Sequence, residues 1–313
     1  MPQFSDFTFL SGNGATQIHV RRCDPEGAPR GVVQIAHGIA EYARRYDDFA
    51  AFLAGHGFVV VVNDHLGHGE SLRGPEDLGF FAEKHGWELA VGDMRKLYER
   101  MRQEFPALPY FLFGHSMGSF LTRTYLIKYR DGLTGAILSG TGQQPGLVVK
   151  AGRMMSAREV KKNGSRYKSE SLNNMAFGSY NKAFEPRRTE HDWLSRDNAQ
   201  VDKYVADPLC GFIPSAQLLN DMMGGILYIQ DPKNLARMNM DLPVYFMSGD
   251  MDPVGGAGKG VRQAFESFKK AGVKDATMKL YPGGRHEMLN ETNRDEVFQD
   301  VLGWIEKQLT INN

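Results

Sequence analysis

Apolar and polar positions alternate in two short runs near the start of the chain, FTFL (residues 7–10) and QIHVRR (17–22), joined by SGNG. Period-two alternation about a Gly/Asn turn predicts a β-hairpin. GVVQIAHG (31–38) is a β-rich run ending on glycine, and a helix is predicted over about 45–57, where Tyr46, Phe49, Ala50 and Leu53 share a face. FVVVVND (58–64) is nearly all β-branched, as a parallel strand covered on both sides would be. An amphipathic stretch over about 87–105 leads to the strand PYFLFG (109–114), a turn at GHSMG, a helix over about 118–129 and the strand LTGAILSG (133–140). There the rhythm stops. Residues 141–237 show helix-like pieces and loops rich in Ser, Asn, Lys and Met. The alternation resumes with LPVYFMSGD (242–250), a helix over about 258–271, ATMKLYPGG (276–284) and a last helix over about 294–309. Buried strands alternating with helices imply right-handed crossovers and a mostly parallel central sheet with helices on both faces. The expected organisation is an α/β core domain of residues 1–140 and 238–313, interrupted by a helical cap at 141–237.

Charge and cysteine content narrow the function classes. Lys plus Arg and Asp plus Glu number 37 each, so the basic excess typical of nucleic-acid binding is missing. Cys23 and Cys210 are too few for a disulfide framework and fit buried thiols in a reducing compartment. The N-terminal MPQFSDFTFL has no basic region followed by a long apolar run, so no signal peptide is expected, and no apolar stretch nears the roughly 20 residues of a membrane helix. The expected location is cytoplasmic.

Chemistry concentrates at Gly114-His115-Ser116-Met117-Gly118, which fits the G-x-S-x-G nucleophile elbow. A chain turning so sharply from strand to helix strains the serine backbone, and side chains two residues on either side would clash. Ser116 would stand above the sheet at a helix start, with the Met117 N–H facing a reacting carbonyl. The motif is short, and its weight comes from the strand before it and the helix after it.

A serine nucleophile needs a base, and the base an orienting acid, following it in the chain order Ser, Asp or Glu, His. Only His191 and His286 follow Ser116. His191 lies in the insertion, where a solvated surface position is expected. His286 comes after the strand ATMKLY, at the end of the sheet where active-site loops gather, and is the expected base. Asp250 and Asp252 both follow LPVYFM and could each orient it, the other capping a turn. The second oxyanion donor should come from the loop after the third strand, His37-Gly38-Ile39-Ala40-Glu41-Tyr42, where Gly38 permits close approach and Ile39 N–H is the natural donor. His37 has the wrong chain order for a base and reads as a prop for that loop.

Together HGIAEYARRYDDFA, NDHLGHGES, GHSMGS, GDMDPV and GGRHEMLNE resemble the monoacylglycerol lipase and lysophospholipase branch of the α/β-hydrolases, over about residues 30–309 apart from the insertion. The resemblance implies an α/β-hydrolase fold and a serine esterase with no cofactor and no metal. Its G-x-x-D loop places the acid at Asp252, its HExLNE-like segment the histidine at His286, and its HG pair the donor at Ile39. Where that branch often has HGxGEH, this chain has Ala40 for Gly and Tyr42 for His, which alters the pocket wall. The DHxGHGxS match at residues 64–71 looks like a turn held by local hydrogen bonds.

Other suggestive features fail on chemistry. GGAGKG (255–260) has Pro253 where a phosphate loop needs its first glycine and Gly260 where it needs Ser or Thr. His65 and His68 lack a third metal ligand. Residues 150–168 hold seven basic side chains against Glu159 alone, with Val148, Ala151 and Met155 at helical spacing. Such a segment could rest on an anionic lipid surface, but a solvated helix turning its apolar stripe to the core is the expected form. The methionines at 154, 155, 175, 222, 223, 238 and 240 suit an adaptable acyl pocket or plain core equally. The expected partner is a monoacyl lipid, a monoacylglycerol or lysophospholipid. The rivals are a short-chain esterase, an aminopeptidase or amidase using Glu185, Glu190 or Asp192, and a non-catalytic receptor on the same fold.

Overall fold

Residues 2–311 are described by the computed structural model. The hairpin forms from β1 (Gln3–Leu10) and β2 (Gln17–Asp24), antiparallel in register Phe7 to Val20. The sheet continues through β3 (Gly31–Ala36), β4 (Phe58–Asn63), β5 (Tyr110–His115), β6 (Gly135–Ser139), β7 (Val244–Gly249) and β8 (Ala276–Tyr281). These make one 8-stranded sheet in the order β1-β2-β4-β3-β5-β6-β7-β8, parallel from β4 onward. This is the α/β-hydrolase fold that the alternation and the motifs predict.

Why the strands read as continuous apolar runs is visible in where each residue points. Val59 and Val61 of β4, Tyr110 and Leu112 of β5, and Ala136 and Leu138 of β6 enter one core. Phe58, Val60 and Val62, Phe111 and Phe113, and Ile137 enter the other. Both faces are therefore covered, and period two cannot show as an apolar–polar alternation. α1 (Asp47–Gly55) and α10 (Arg294–Ile311) cover the second face through Phe49, Leu53, Val297, Val301 and Ile305. α2 (Gly86–Glu104), α3 (Met117–Lys128) and α9 (Lys259–Ala271) cover the first through Met94, Leu121, Val261 and Phe268. The helix predicted over 45–57 is divided. Residues Ala43–Tyr46 make a 3-10 turn, and α1 starts only at Asp47, where Asp47 and Asp48 meet the positive end of the helix dipole.

Between β6 and β7 the chain forms α4 (Gly146–Asn163), α5 (Glu170–Phe177), α6 (Asn198–Ala206), α7 (Ala216–Gln230) and α8 (Pro232–Leu235), and contributes no strand to the sheet. Part of its polar content resolves into helix starts: Ser169, Asp197, Ser215 and Asp231 each accept a backbone N–H at the N-cap of the helix that follows. The start and the end of this segment meet. Gln144 and Gln230 exchange hydrogen bonds of 2.7 and 3.0 Å. The fully buried Arg123 of α3 donates to the carbonyl oxygens of Gly142 at 2.8 Å and Ile229 at 3.3 Å.

One expectation is corrected here. On α4 it is Val149 and Ser156 that are buried, while Leu147, Val148, Ala151, Met154 and Met155 face outward, Leu147 82% and Met154 71% exposed. The stripe expected to turn to the core is exposed, Val148 also lining a cavity, because α4 packs on α7 through its other side. Among the described residues no helix is long and apolar enough to cross a membrane.

Candidate active site

Ser116 sits between β5 and α3 with φ 53° and ψ −122°, a left-handed conformation that is costly for any residue with a Cβ. The turn is tight enough to forbid side chains nearby. A Cβ on Gly118 would lie 2.0 Å from the Ala36 carbonyl oxygen, and one on Gly114 2.5 Å from the Gly118 oxygen. Neither obstacle is a side chain that can swing away. Gly118→Ala is expected to cost at least about 3 kcal/mol of stability, measured by denaturant unfolding, since the sheet and α3 must separate to admit the methyl. Met117 opens α3, so its N–H is among the first-turn donors that no helical carbonyl satisfies. Ser116 itself is 9% exposed and lines two adjoining cavities.

His286 lines the smaller of these cavities and meets Asp252 there. His286 Nδ1 stands 3.0 Å from Asp252 Oδ1, and both residues are buried. That oxygen also accepts the Val254 N–H at 2.9 Å, while Oδ2 accepts the Ser248 hydroxyl at 3.0 Å. Burial opposes the carboxylate's charge, yet His286 and these donors win and hold Asp252 below the usual range, hence ionised. An ionised Asp252 fixes the proton on His286 Nδ1 and leaves Nε2 free to accept one. Burial also works against the imidazolium, but the charges of Asp252, Glu287 and Glu41 outweigh it and raise the His286 pKa above 6.5. Asp250 faces elsewhere: its Oδ1 accepts the Gly283 N–H at 2.7 Å and so fastens the turn before His286. The ring of His286 is packed between His115, centroids 4.7 Å apart, and Trp193, 5.0 Å apart.

Across the cavity, the loop after β3 brings Ile39 to the same walls as Ser116. A Cβ on Gly38 would stand 3.1 Å from the Ser116 Cβ, so glycine is what allows the approach. The peptide joining Gly38 to Ile39 is held from several sides. His37 Nε2 accepts the His65 N–H at 2.9 Å, which puts the ring proton on Nδ1, and Nδ1 donates to the Gly38 carbonyl at 2.7 Å. The Gly38 N–H donates to Glu41 Oε1. His37 therefore acts as the loop's prop, kept neutral by complete burial. Ala40 carries φ 56°, the position where glycine would be unstrained.

A nucleophile-type serine in a strained elbow, a buried His–Asp pair and a glycine-backed loop facing them are the parts that acyl transfer uses. The sequence pattern of the family described as "Serine aminopeptidase, S33" matches residues 27–293. The chain belongs to this family of α/β-hydrolases. A monoacylglycerol lipase of Mycolicibacterium smegmatis is 30% identical over 96% of either chain. A monoglyceride lipase of Mus musculus is 25% identical over 98% of this chain and 92% of its own. Among solved structures, a thermostable carboxyl esterase of Bacillus coagulans in complex with glycerol superposes with TM-score 0.91 at 29% identity, covering 98% of this chain and 99% of that one. This hydrolase falls in the monoacylglycerol lipase branch and is an ester hydrolase.

The two cavities of the hydrolase differ in character. The larger, of about 370 Å³, is walled by Phe120, Val149, Leu172, Met222, Met223 and Ile226 among others and is chiefly apolar. The smaller, of about 230 Å³, adds Asn173, Asn174, Glu190, His191, Tyr204 and Glu287. Ser116, Ile39, Phe177 and Trp193 belong to both. His191 corrects a second expectation, because it is half-buried against Tyr204 at 5.0 Å and lines the smaller cavity rather than the solvated surface. The methionines divide: Met175, Met222 and Met223 line the larger cavity, Met238 is core, and Met154 is exposed. The glycine-rich run at 255–260 is the turn after Asp252 and the first two residues of α9. Residues 64–71 close on themselves through Asp64, which accepts N–H groups of Ala43 and Glu70, and through the Ser71 hydroxyl on the Asp64 carbonyl. Among the described residues no three His, Cys, Asp or Glu side chains are grouped to hold a metal ion.

Sequence reading passed over three residues beside the site: Glu41, Arg45 and Glu287. Arg45 donates to Glu41 at 2.8 Å and to both oxygens of Glu287 at 2.5 and 2.7 Å, with all three largely removed from solvent. Glu41 and Arg45 stand four apart in HGIAEYARRY, and Glu287 adjoins His286, so their places in the two motifs were the available signal. Trp193 gave none, being 93 residues from His286 inside the insertion.

Proposed function

We propose that this hydrolase cleaves monoacyl lipids through an acyl-enzyme on Ser116. The observation that carries the reading is the position of Ser116 at the junction of an apolar cavity and a polar one. An acyl chain fits the first and the alcohol portion the second. In this reading His286 Nε2 takes the Ser116 proton as Oγ attacks the ester carbonyl, and Asp252 stabilises the imidazolium formed. The N–H groups of Ile39 and Met117 hold the oxyanion, each worth about 3 kcal/mol in the transition state. The alcohol leaves with the proton from His286. Water, deprotonated by the same ring, then releases the fatty acid. Because His286 must be neutral to act, turnover falls as pH drops through its raised pKa. The acid limb of a kcat/KM profile is expected to lie above pH 6.5.

Of the acids named for an aminopeptidase, Glu190 lines the smaller cavity, and all three have partners of their own. Asp192 accepts the N–H groups of Arg188 and Thr189 and the Thr189 hydroxyl, and Arg187 pairs with both Glu185 and Glu190. The test is hydrolysis of p-nitrophenyl esters of increasing chain length beside 1-monoacylglycerol, lysophosphatidylcholine and an aminoacyl-anilide. Long-chain and monoacyl-lipid turnover supports the reading, and anilide cleavage alone would replace it with the aminopeptidase. The outward stripe Leu147, Met154 and Met155, with Lys150, Arg158, Lys161 and Lys162 on the same helix, suits contact with an anionic lipid surface. Leu147→Glu with Met154→Glu is expected to lower cosedimentation with phosphatidylserine vesicles and to leave short soluble esters turning over at the parent rate. Cys23 and Cys210, both buried and free, suit a reducing cytoplasm.

A further inference from the structure

The loop that carries Ile39 and the loop that carries His286 come from opposite ends of the chain, and a single buried row joins them. Glu41 accepts the Gly38 N–H and the Tyr46 hydroxyl on Oε1 and leaves Oε2 to Arg45. Arg45 reaches onward to both oxygens of Glu287, which also accepts Asn290 at 3.0 Å and follows His286 directly. The row holds two carboxylates and one guanidinium within the protein; burial raises the Glu41 pKa, while Arg45 holds Glu287 down at about 2, a carboxylate beside the His286 ring. Burying ionised side chains is expensive even when they are paired.

The segment between β6 and β7 grips both ends. The ring of Tyr204 lies 4.8 Å from the Arg45 guanidinium, and the Gly211 N–H donates to the Ala40 carbonyl at 3.0 Å. Tyr42, which stands where related loops often carry His, donates its hydroxyl to Asp207 at 2.8 Å. On the other loop the Glu287 N–H donates to the Leu194 carbonyl at 2.8 Å and Ser195 Oγ to Asn290 O at 2.8 Å.

We propose that Glu41, Arg45 and Glu287 are positioning residues that lock the oxyanion loop to the histidine loop, so that the Ile39 donor and His286 keep a fixed mutual geometry. This rests on the reading of Ser116 as nucleophile. Glu41 acts through the Gly38 N–H, the amide just before the donor peptide, and Glu287 acts through the backbone of its neighbour. The row also biases the base electrostatically. The charged and titratable groups around His286 are Asp252, His115, Arg45, Glu41 and Glu287, with Glu190, His191 and Tyr204 lining the same cavity, and with all but the two glutamates retained in every variant the glutamates are what changes.

The rate at which a fluorophosphonate labels Ser116, followed across pH, reports both effects without depending on the natural substrate. Glu41→Ala is expected to lower the plateau rate about 10- to 100-fold, the scale of a displaced oxyanion donor, while the KM for a soluble ester stays near the parent's. Glu41→Gln, which retains an acceptor for Gly38, should recover part of that loss. Glu287→Gln removes the charge and keeps the shape, so its acid limb should move to lower pH relative to its own plateau. A purely structural role would lower the unfolding temperature and move neither the limb nor the plateau of the folded fraction. Parent plateau and limb in both Glu41→Ala and Glu287→Gln would overturn the proposal and leave the nucleophile reading standing. A parent protein that does not label at Ser116 would overturn the nucleophile reading and the proposal with it.

Discussion

Ser116→Ala is expected to lower kcat by about 10⁶-fold, the loss seen when the attacking atom of a Ser-His-Asp unit is removed. The oxyanion donors and the cavity walls remain, so substrate should still bind, and only chemistry should stop. Alanine meets the same left-handed backbone that serine tolerates at φ 53°, and its Cβ occupies space already allotted. Unfolding temperature should therefore change little. Turnover measured beside a fluorescent non-hydrolysable ether analogue separates the two effects: analogue binding at parent affinity with no turnover is the expected outcome. Turnover at the parent rate would remove Ser116 from the mechanism.

Asp252→Asn should cost up to about 10⁴-fold in kcat. Oδ1 takes both the Val254 N–H and His286 Nδ1, while Oδ2 takes only the Ser248 hydroxyl, which can turn to accept. An amide oxygen at the first place keeps both donors and loses the charge that stabilises the imidazolium. An amide nitrogen there would oppose the Val254 N–H and force the ring proton onto Nε2, the atom that must accept from serine. The fold stays, and the base is impaired in either orientation. Asp250→Asn is the companion measurement. Its carboxylate only receives the Gly283 N–H, a bond an amide oxygen can accept as well, so kcat should remain close to the parent's. Equal losses in the two variants would mean that the acid has been assigned to the wrong residue.

That pair of aspartates marks where local sequence stops being informative. Two residues apart in one loop, both acidic, they differ only in which way the chain turns after β7, and tertiary packing decides it. The sheet was far easier to read. Strands such as β4 and β5 are sandwiched between helices, so their burial is written in unbroken apolar runs, and the elbow at Ser116 demands glycines that any reader can find. α4 misled because an amphipathic pattern says that a face is apolar, not what lies against it. Val148 and Met155 look like core positions until α7 is seen to pack on the other side. Arg45 and Glu287 were illegible for the converse reason. Charged residues read as surface, and the partners that allow their burial lie 242 residues apart.

The handshake of Gln144 with Gln230, with Arg123 beneath both chain ends, gives the segment above the sheet the character of a cassette. Its two junctions sit side by side on the floor formed by the sheet and α3, so a substitute that begins and finishes at that point is expected to leave β6 and β7 where they are. Ser116, His286 and Asp252 all come from the floor, whereas most of the apolar cavity wall comes from the cassette. Exchanging the stretch between these glutamines for that of a relative is thus a route to new acyl preferences on an unaltered reaction centre, provided that the replacement brings its own counterparts of Tyr204 and Gly211 to meet the loop below.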